Sequence, residues 1–89
     1  MTVVTRSPGV VTAHISGQLV ALNDKMEYVA LDPMGEAIFE LIKQPCSVDQ
    51  LVESVTARFD IDEPTCRADV SEFLAQLESS RLVNLSSAD

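Results

Sequence analysis

The hydrophobic period of this chain changes once, at Asp32-Pro33, and that change limits the folds open to it. Upstream the period is two. Val10–Ile15 is rich in β-branched residues, Ser16-Gly17 is a turn signal, Gln18–Leu22 alternates, Asn23-Asp24 marks a second turn, and Met26–Leu31 alternates again. Three strands joined by two tight turns predict an antiparallel meander, a sheet that must be covered on at least one face. Downstream the period is 3.6. Strands followed by helices, rather than interleaved with them, predict an α+β domain with the helices packed on the sheet. A three-stranded antiparallel sheet followed by three helices gives a winged-helix-like architecture.

The helix boundaries are written in local chemistry. Asp32 can cap the first helix and Pro33 suits its first turn, where an N–H is not needed. Met34, Ala37, Ile38, Leu41 and Ile42 form its apolar stripe, and Pro45 ends it. Ser47 and Gln50 have the spacing of a capping box for a second helix with the stripe Val48, Leu51, Val52, Val55 and Phe59. Asp62 or Glu63 caps a third, with Pro64 in its first turn and the stripe Cys66, Val70, Phe73, Leu74 and Leu77. Residues 1–9 read as a flexible N-terminal tail, 10–85 as one domain, and 86–89 as a fraying C-terminal tail. Leu82–Leu85 is a short apolar end, either a strand or a docked segment.

Composition removes several function classes. Eighty-nine residues suit a single domain, and a hydrophobic share of 46% is that of a globular one. The chain has 14 acidic against 6 basic side chains, a net charge of −8. A nucleic-acid module needs clustered Lys and Arg, whereas the segment from Asp62 to Leu85 carries five acids and only Arg67 and Arg81. A winged-helix DNA-binding regulator is therefore the weaker reading. No apolar run approaches ~20 residues, and the N-terminus has no signal-peptide pattern, so a cytoplasmic location is expected. His14 is the only imidazole and lies in a strand; Cys46 and Cys66 lack C-x-x-C spacing and read as free thiols; Gly9, Gly17 and Gly35 form no phosphate cradle. No metal site, cofactor site or catalytic pair is legible, and the chain is expected not to be an enzyme.

The ordered series Leu22-Asn23, Tyr28–Ile42, Ser47–Val52, Phe59–Asp62 and Asp69-Val70, Phe73-Leu74, Leu77, Leu82-Val83 resembles the PqqD-like family across about residues 10–85. Phe39 stands where many members carry Trp, an exchange that keeps an aromatic in the packing. The resemblance implies a recognition element for ribosomally synthesised, post-translationally modified peptides (RiPPs). Such an element binds the leader segment of a precursor peptide as an added strand on the third strand, in a groove beside the third helix. It then delivers the precursor to modifying enzymes. A leader protease and cyclase of a lasso-peptide pathway are the favoured recipients, with a radical-SAM enzyme as the alternative. A homodimer through the same strand edge is a further association open to such a chain.

Strand addition accords with elementary physics, because an edge strand offers unpaired N–H and C=O groups to a disordered peptide. On the resemblance, the peptide-binding candidates are Glu27, Tyr28, Val29 and Ala30 on the strand and Arg67, Val70, Phe73 and Leu74 on the helix. Val70, Phe73, Leu74 and Leu77 are equally spaced as core residues. Val70 and Leu74, toward one side of the stripe, are expected in the groove, whereas Arg67 either pairs with a leader carboxylate or is a solvated surface residue. Tyr28 is either a lip of the groove or strand packing. The acidic balance disfavours strongly acidic leaders and points to backbone pairing with apolar anchors.

Overall fold

A computed structural model describes residues 1–87. In chain order the elements are β1 (Thr2–Arg6), β2 (Val11–Ile15), β3 (Gln18–Leu22), β4 (Tyr28–Leu31), α1 (Pro33–Leu41), β5 (Cys46-Ser47), α2 (Val48–Phe59), α3 (Glu63–Ser79) and β6 (Val83–Ser87). The expected meander is β2-β3-β4, antiparallel throughout, with Ala13 opposite Val20 and Val20 opposite Ala30. Its first turn places Ser16 and Gly17 both at positive φ, 55° and 80°. That pair of conformations matches the right-handed twist of the flanking strands.

A second sheet, ordered β5-β1-β6, replaces the tail expected over residues 1–9. β1 pairs antiparallel with β6 from Thr2 opposite Ser87 to Arg6 opposite Val83, and Val4 is fully buried. The strand escapes a local reading because its main partner lies at the other end of the chain. Arg6 extends the anchoring: its guanidinium donates to the Phe39 carbonyl and lies 4.1 Å above the Phe39 ring. It thereby satisfies an orphan carbonyl near the end of α1. Desolvation of that guanidinium holds its pKa below the usual value, with the nearby Glu40 charge acting in the other direction. Of the C-terminal tail expected over 86–89, Ser86 and Ser87 belong to β6; residues 88–89 lie outside the described residues.

The helix starts follow the caps. Asp32 accepts from the Gly35 N–H at 2.7 Å, and Pro33 opens α1. In the capping box the Gln50 N–H donates to Ser47 Oγ at 3.1 Å, and the Ser47 N–H donates to Gln50 Oε1 at 2.9 Å. Asp62 caps α3, accepting from the Thr65 N–H and hydroxyl. Each helix then buries its stripe in one core: Ile38, Phe39 and Ile42 from α1, Leu51, Val52 and Val55 from α2, and Cys66, Val70, Leu74 and Leu77 from α3. They meet Leu19, Ala21 and Leu31 of the meander and Val4 and Val83 of the second sheet. Leu41, expected in the α1 stripe, is 40% exposed, and Phe39 takes the buried place. Among the described residues no helix is long and apolar enough to cross a membrane.

Candidate functional site

β4 is an outer strand of the meander, and the hydrogen-bond phase of its hairpin defines what it offers on the open side. The Asn23 N–H donates to the Glu27 carbonyl at 3.0 Å, so residues 23 and 27 form a hydrogen-bonded pair. Such pairs recur every second residue in an antiparallel ladder. Ala21–Val29 and Leu19–Leu31 are therefore hydrogen-bonded pairs, and the backbone groups of Tyr28 and Ala30 point away from β3. Two N–H and two C=O groups face the free edge.

The edge opens beside α3. Between them runs a groove whose β4 end is lined by Val29, Ala75, Gln76, Ser79 and Ser80. Glu72 lines this stretch and the next, where Asp32, Met34 and Gly35 at the start of α1 face Asp69 and Phe73. Two contacts set its width. At one end Asn23, only 3% exposed, donates to the Ser80 carbonyl at 2.8 Å and to Glu27 Oε1 at 3.0 Å. Its Oδ1 accepts from the Lys25 and Glu27 N–H groups. This amide ties the β3–β4 turn to the C-terminus of α3. Asn23→Ala leaves those backbone groups without their partner and is expected to cost about 2 kcal/mol. A denaturant titration beside the parent protein measures it.

At the other end Gly35 lets α1 approach the Phe73 ring. A Cβ on residue 35 would lie 2.8 Å from Phe73 Cζ and 3.1 Å from Asp32 Oδ1. Gly35→Ala is expected to displace the half-buried ring into the groove. Alanine's helix preference over glycine is worth at most ~1 kcal/mol and offsets part of the strain. The expected signature is a shift of the Phe73 ring resonances with little change in Tm.

The sequence candidates separate sharply in space. Val29 and Phe73 line the groove, both half-buried. Tyr28, 71% exposed, and Ala30 share the outer face of the sheet with Leu22 and Val20, their pairing partners, so these two reach the edge through their backbones and not through their side chains. Glu27 is exposed beside the turn and accepts from Asn23. Val70 and Leu74, expected in the groove, are 0% and 2% exposed and pack in the core. The side of the apolar stripe that meets β4 carries Phe73 instead. Arg67 lies on a different flank of α3, beside Val48, Ser71 and Leu85, where it bridges Asp49 at 2.9 Å and Glu63 at 3.1 Å. These two hydrogen bonds, Glu63 first, raise its pKa. Asp69, Glu72 and Gln76 were missed. With Phe73 they recur at i, i+3, i+4 and i+7, a second stripe beside the core stripe, and its polarity disguised it as solvated surface.

The two thiols and the imidazole lie outside this groove. Cys66 is fully buried, with Sγ 3.8 Å from the Val52 carbonyl, and Cys46 is half-buried in β5. Burial pushes both thiols up, so they stay protonated at neutral pH and are poor nucleophiles. His14 Nε2 meets Glu36 Oε1 at 3.4 Å on the exposed side of β2. Among the described residues no group of three His, Cys, Asp or Glu side chains could hold a metal ion.

Comparison with known proteins accords with this geometry. The family described as coenzyme PQQ synthesis protein D (PqqD) matches residues 18–83. No curated protein sequence matches. Among solved structures, TbiB1 in complex with the TbiA(beta) leader peptide superposes with a TM-score of 0.82 at 30% identity, over 96% of this chain and 99% of that one. A lasso peptide synthetase B1 complexed with the leader peptide gives a TM-score of 0.79 at 15% identity, over 91% and 96%. The PqqD truncation of Methylobacterium extorquens PqqCD, a functional stand-alone RiPP recognition element, gives 0.77 at 23% identity, over 92% and 88%. The last two similarities concern the fold.

Proposed function

Because this chain belongs to the PqqD family, we propose that it is a RiPP recognition element that binds the leader segment of a precursor peptide as a fourth strand of its meander. The carrying observation is the edge of β4, unpaired among the described residues, with the backbone groups of Tyr28 and Ala30 turned outward over the groove beside α3. A disordered leader gains hydrogen bonds along that edge, and alternate side chains of the added strand fall into the groove. Val29, Met34 and Phe73 supply apolar contact there. The 30%-identical relative, matched over almost its whole length, was solved with a leader peptide bound.

In this reading the chain binds and presents the precursor, and bond making and breaking belong to partner enzymes. The recipients we favour are the leader protease and cyclase of a lasso-peptide pathway, with a radical-SAM enzyme as the alternative. Fluorescence polarisation tests the core of the proposal. A labelled synthetic leader, taken from a short precursor gene found beside this chain's gene, should bind saturably. Its failure to bind, with the protein folded, would reject leader recognition. Pull-down of the neighbouring protease or cyclase, with and without leader, tests the delivery step.

A further inference from the structure

The groove is lined by carboxylates without a matching cation. Asp69 and Glu72 form no ion pair among the described residues. Asp32, at the same end, is engaged by the Gly35 N–H. None of the chain's Lys or Arg side chains lines either stretch of the groove. The six basic residues are occupied or placed elsewhere: Arg6 on the Phe39 carbonyl, Lys25 exposed in the β3–β4 turn, Lys43 on Glu40, Arg58 over the Phe59 ring, Arg67 on Asp49 and Glu63, and Arg81 in a separate depression beside Ser7 and Glu78.

We propose that the leader segment seated between β4 and α3 is cationic, with a Lys or Arg near an apolar anchor, and that Glu72 and Asp69 select that charge while Val29, Met34 and Phe73 take the anchor. The inference rests on the leader-binding reading above and adds the chemistry of the peptide to it. Acidic side chains alone would make no site; here the unpaired strand edge and the apolar strip make it, and the acids decide who enters. Charge complementarity chooses the occupant, because a carboxylate-bearing peptide in the same seat meets like charge in addition to the protein's net −8. A strand laid along β4 turns alternate side chains toward α3, so a cation and an anchor two residues apart can share the groove.

The test uses the intact protein and a fluorescein-labelled synthetic peptide covering the leader of a short precursor gene found beside its own. Expected results are a several-fold rise in Kd between 50 and 500 mM NaCl and about a tenfold rise for Asp69→Lys/Glu72→Lys. A peptide with its Lys and Arg changed to Glu should bind the parent weakly and regain affinity for the doubly substituted protein. The milder Asp69→Asn/Glu72→Gln pair, on exposed positions, guards against a folding artefact and should raise Kd about threefold, with circular dichroism unchanged. Binding of the parent leader with Kd insensitive to salt and to both double variants, within twofold, overturns the cationic assignment and leaves leader recognition standing. Absence of binding by the folded parent protein overturns leader recognition itself, and the charge assignment with it.

Discussion

Ala30→Pro is expected to abolish leader binding, raising Kd at least ~50-fold, while the protein stays folded. The backbone phase of β4 makes this a selective change. The Ala30 N–H points to the open edge, so β3 loses no hydrogen bond when it is removed. The Ala30 side chain is exposed on the outer face, and no core contact is lost. Proline is tolerated on edge strands for these reasons, and it holds the preceding residue, Val29, in the extended region where it already lies. The incoming peptide loses one backbone bond and meets the pyrrolidine ring in its path, and pairing beyond that point is blocked. Fluorescence polarisation and a thermal melt read the two halves of the prediction. The contrasting change Ala30→Thr, with its N–H retained and a β-favouring side chain, is expected to keep binding within about threefold. Equal binding by the proline variant would remove β4 as the docking edge.

The largest effect on stability is expected at the N-terminus. Val4→Asp should leave the chain unfolded at 25 °C, and Val4→Ala should cost about 2 kcal/mol. β1 is the middle strand of the β5-β1-β6 sheet, and Val4 is 0% exposed against the common core. A carboxylate there has neither water nor a partner, and its burial costs several kcal/mol, comparable with the entire stability of a small domain. Thr2→Asp, on an exposed position of the same strand, is the control and should be nearly neutral. Circular dichroism melts of the three variants decide the matter. A cooperative melt for Val4→Asp within a few degrees of the parent would mean that β1 is dispensable.

Both predictions concern positions where local pattern and tertiary placement part. The first hairpin turn, the first two caps and most of the buried stripes were legible because each depends on residues within a few positions of one another: Ser16-Gly17, Asp32-Pro33, Ser47 with Gln50; the third cap was narrowed to Asp62 or Glu63, and it is Asp62. The family pattern was legible for the same reason, being an ordered series of such local signals. β1 was not, since Thr2–Arg6 is too short to declare a partner that follows α3. The groove was half legible. Val29 and Phe73 line it, but Val70 and Leu74 belong to the core, and Asp69, Glu72 and Gln76 take their place.

The amino-acid sequence by itself determined the α+β class, the succession of the meander and the three helices, and the net charge of −8. Periodicity and capping act within a few residues, and charge is a property of composition. Only the tertiary structure decided how far α3 is rotated about its axis against β4. An apolar stripe of 3.6 period shows that a helix packs, and is silent on which flank of the stripe meets the sheet edge. That rotation follows from long-range contacts: the Asn23 bond to the Ser80 carbonyl, the approach of Phe73 to Gly35, and the burial of Val70 and Leu74 among residues from every other layer. It turned a run of acids that reads as solvated surface into one wall of the groove beside β4.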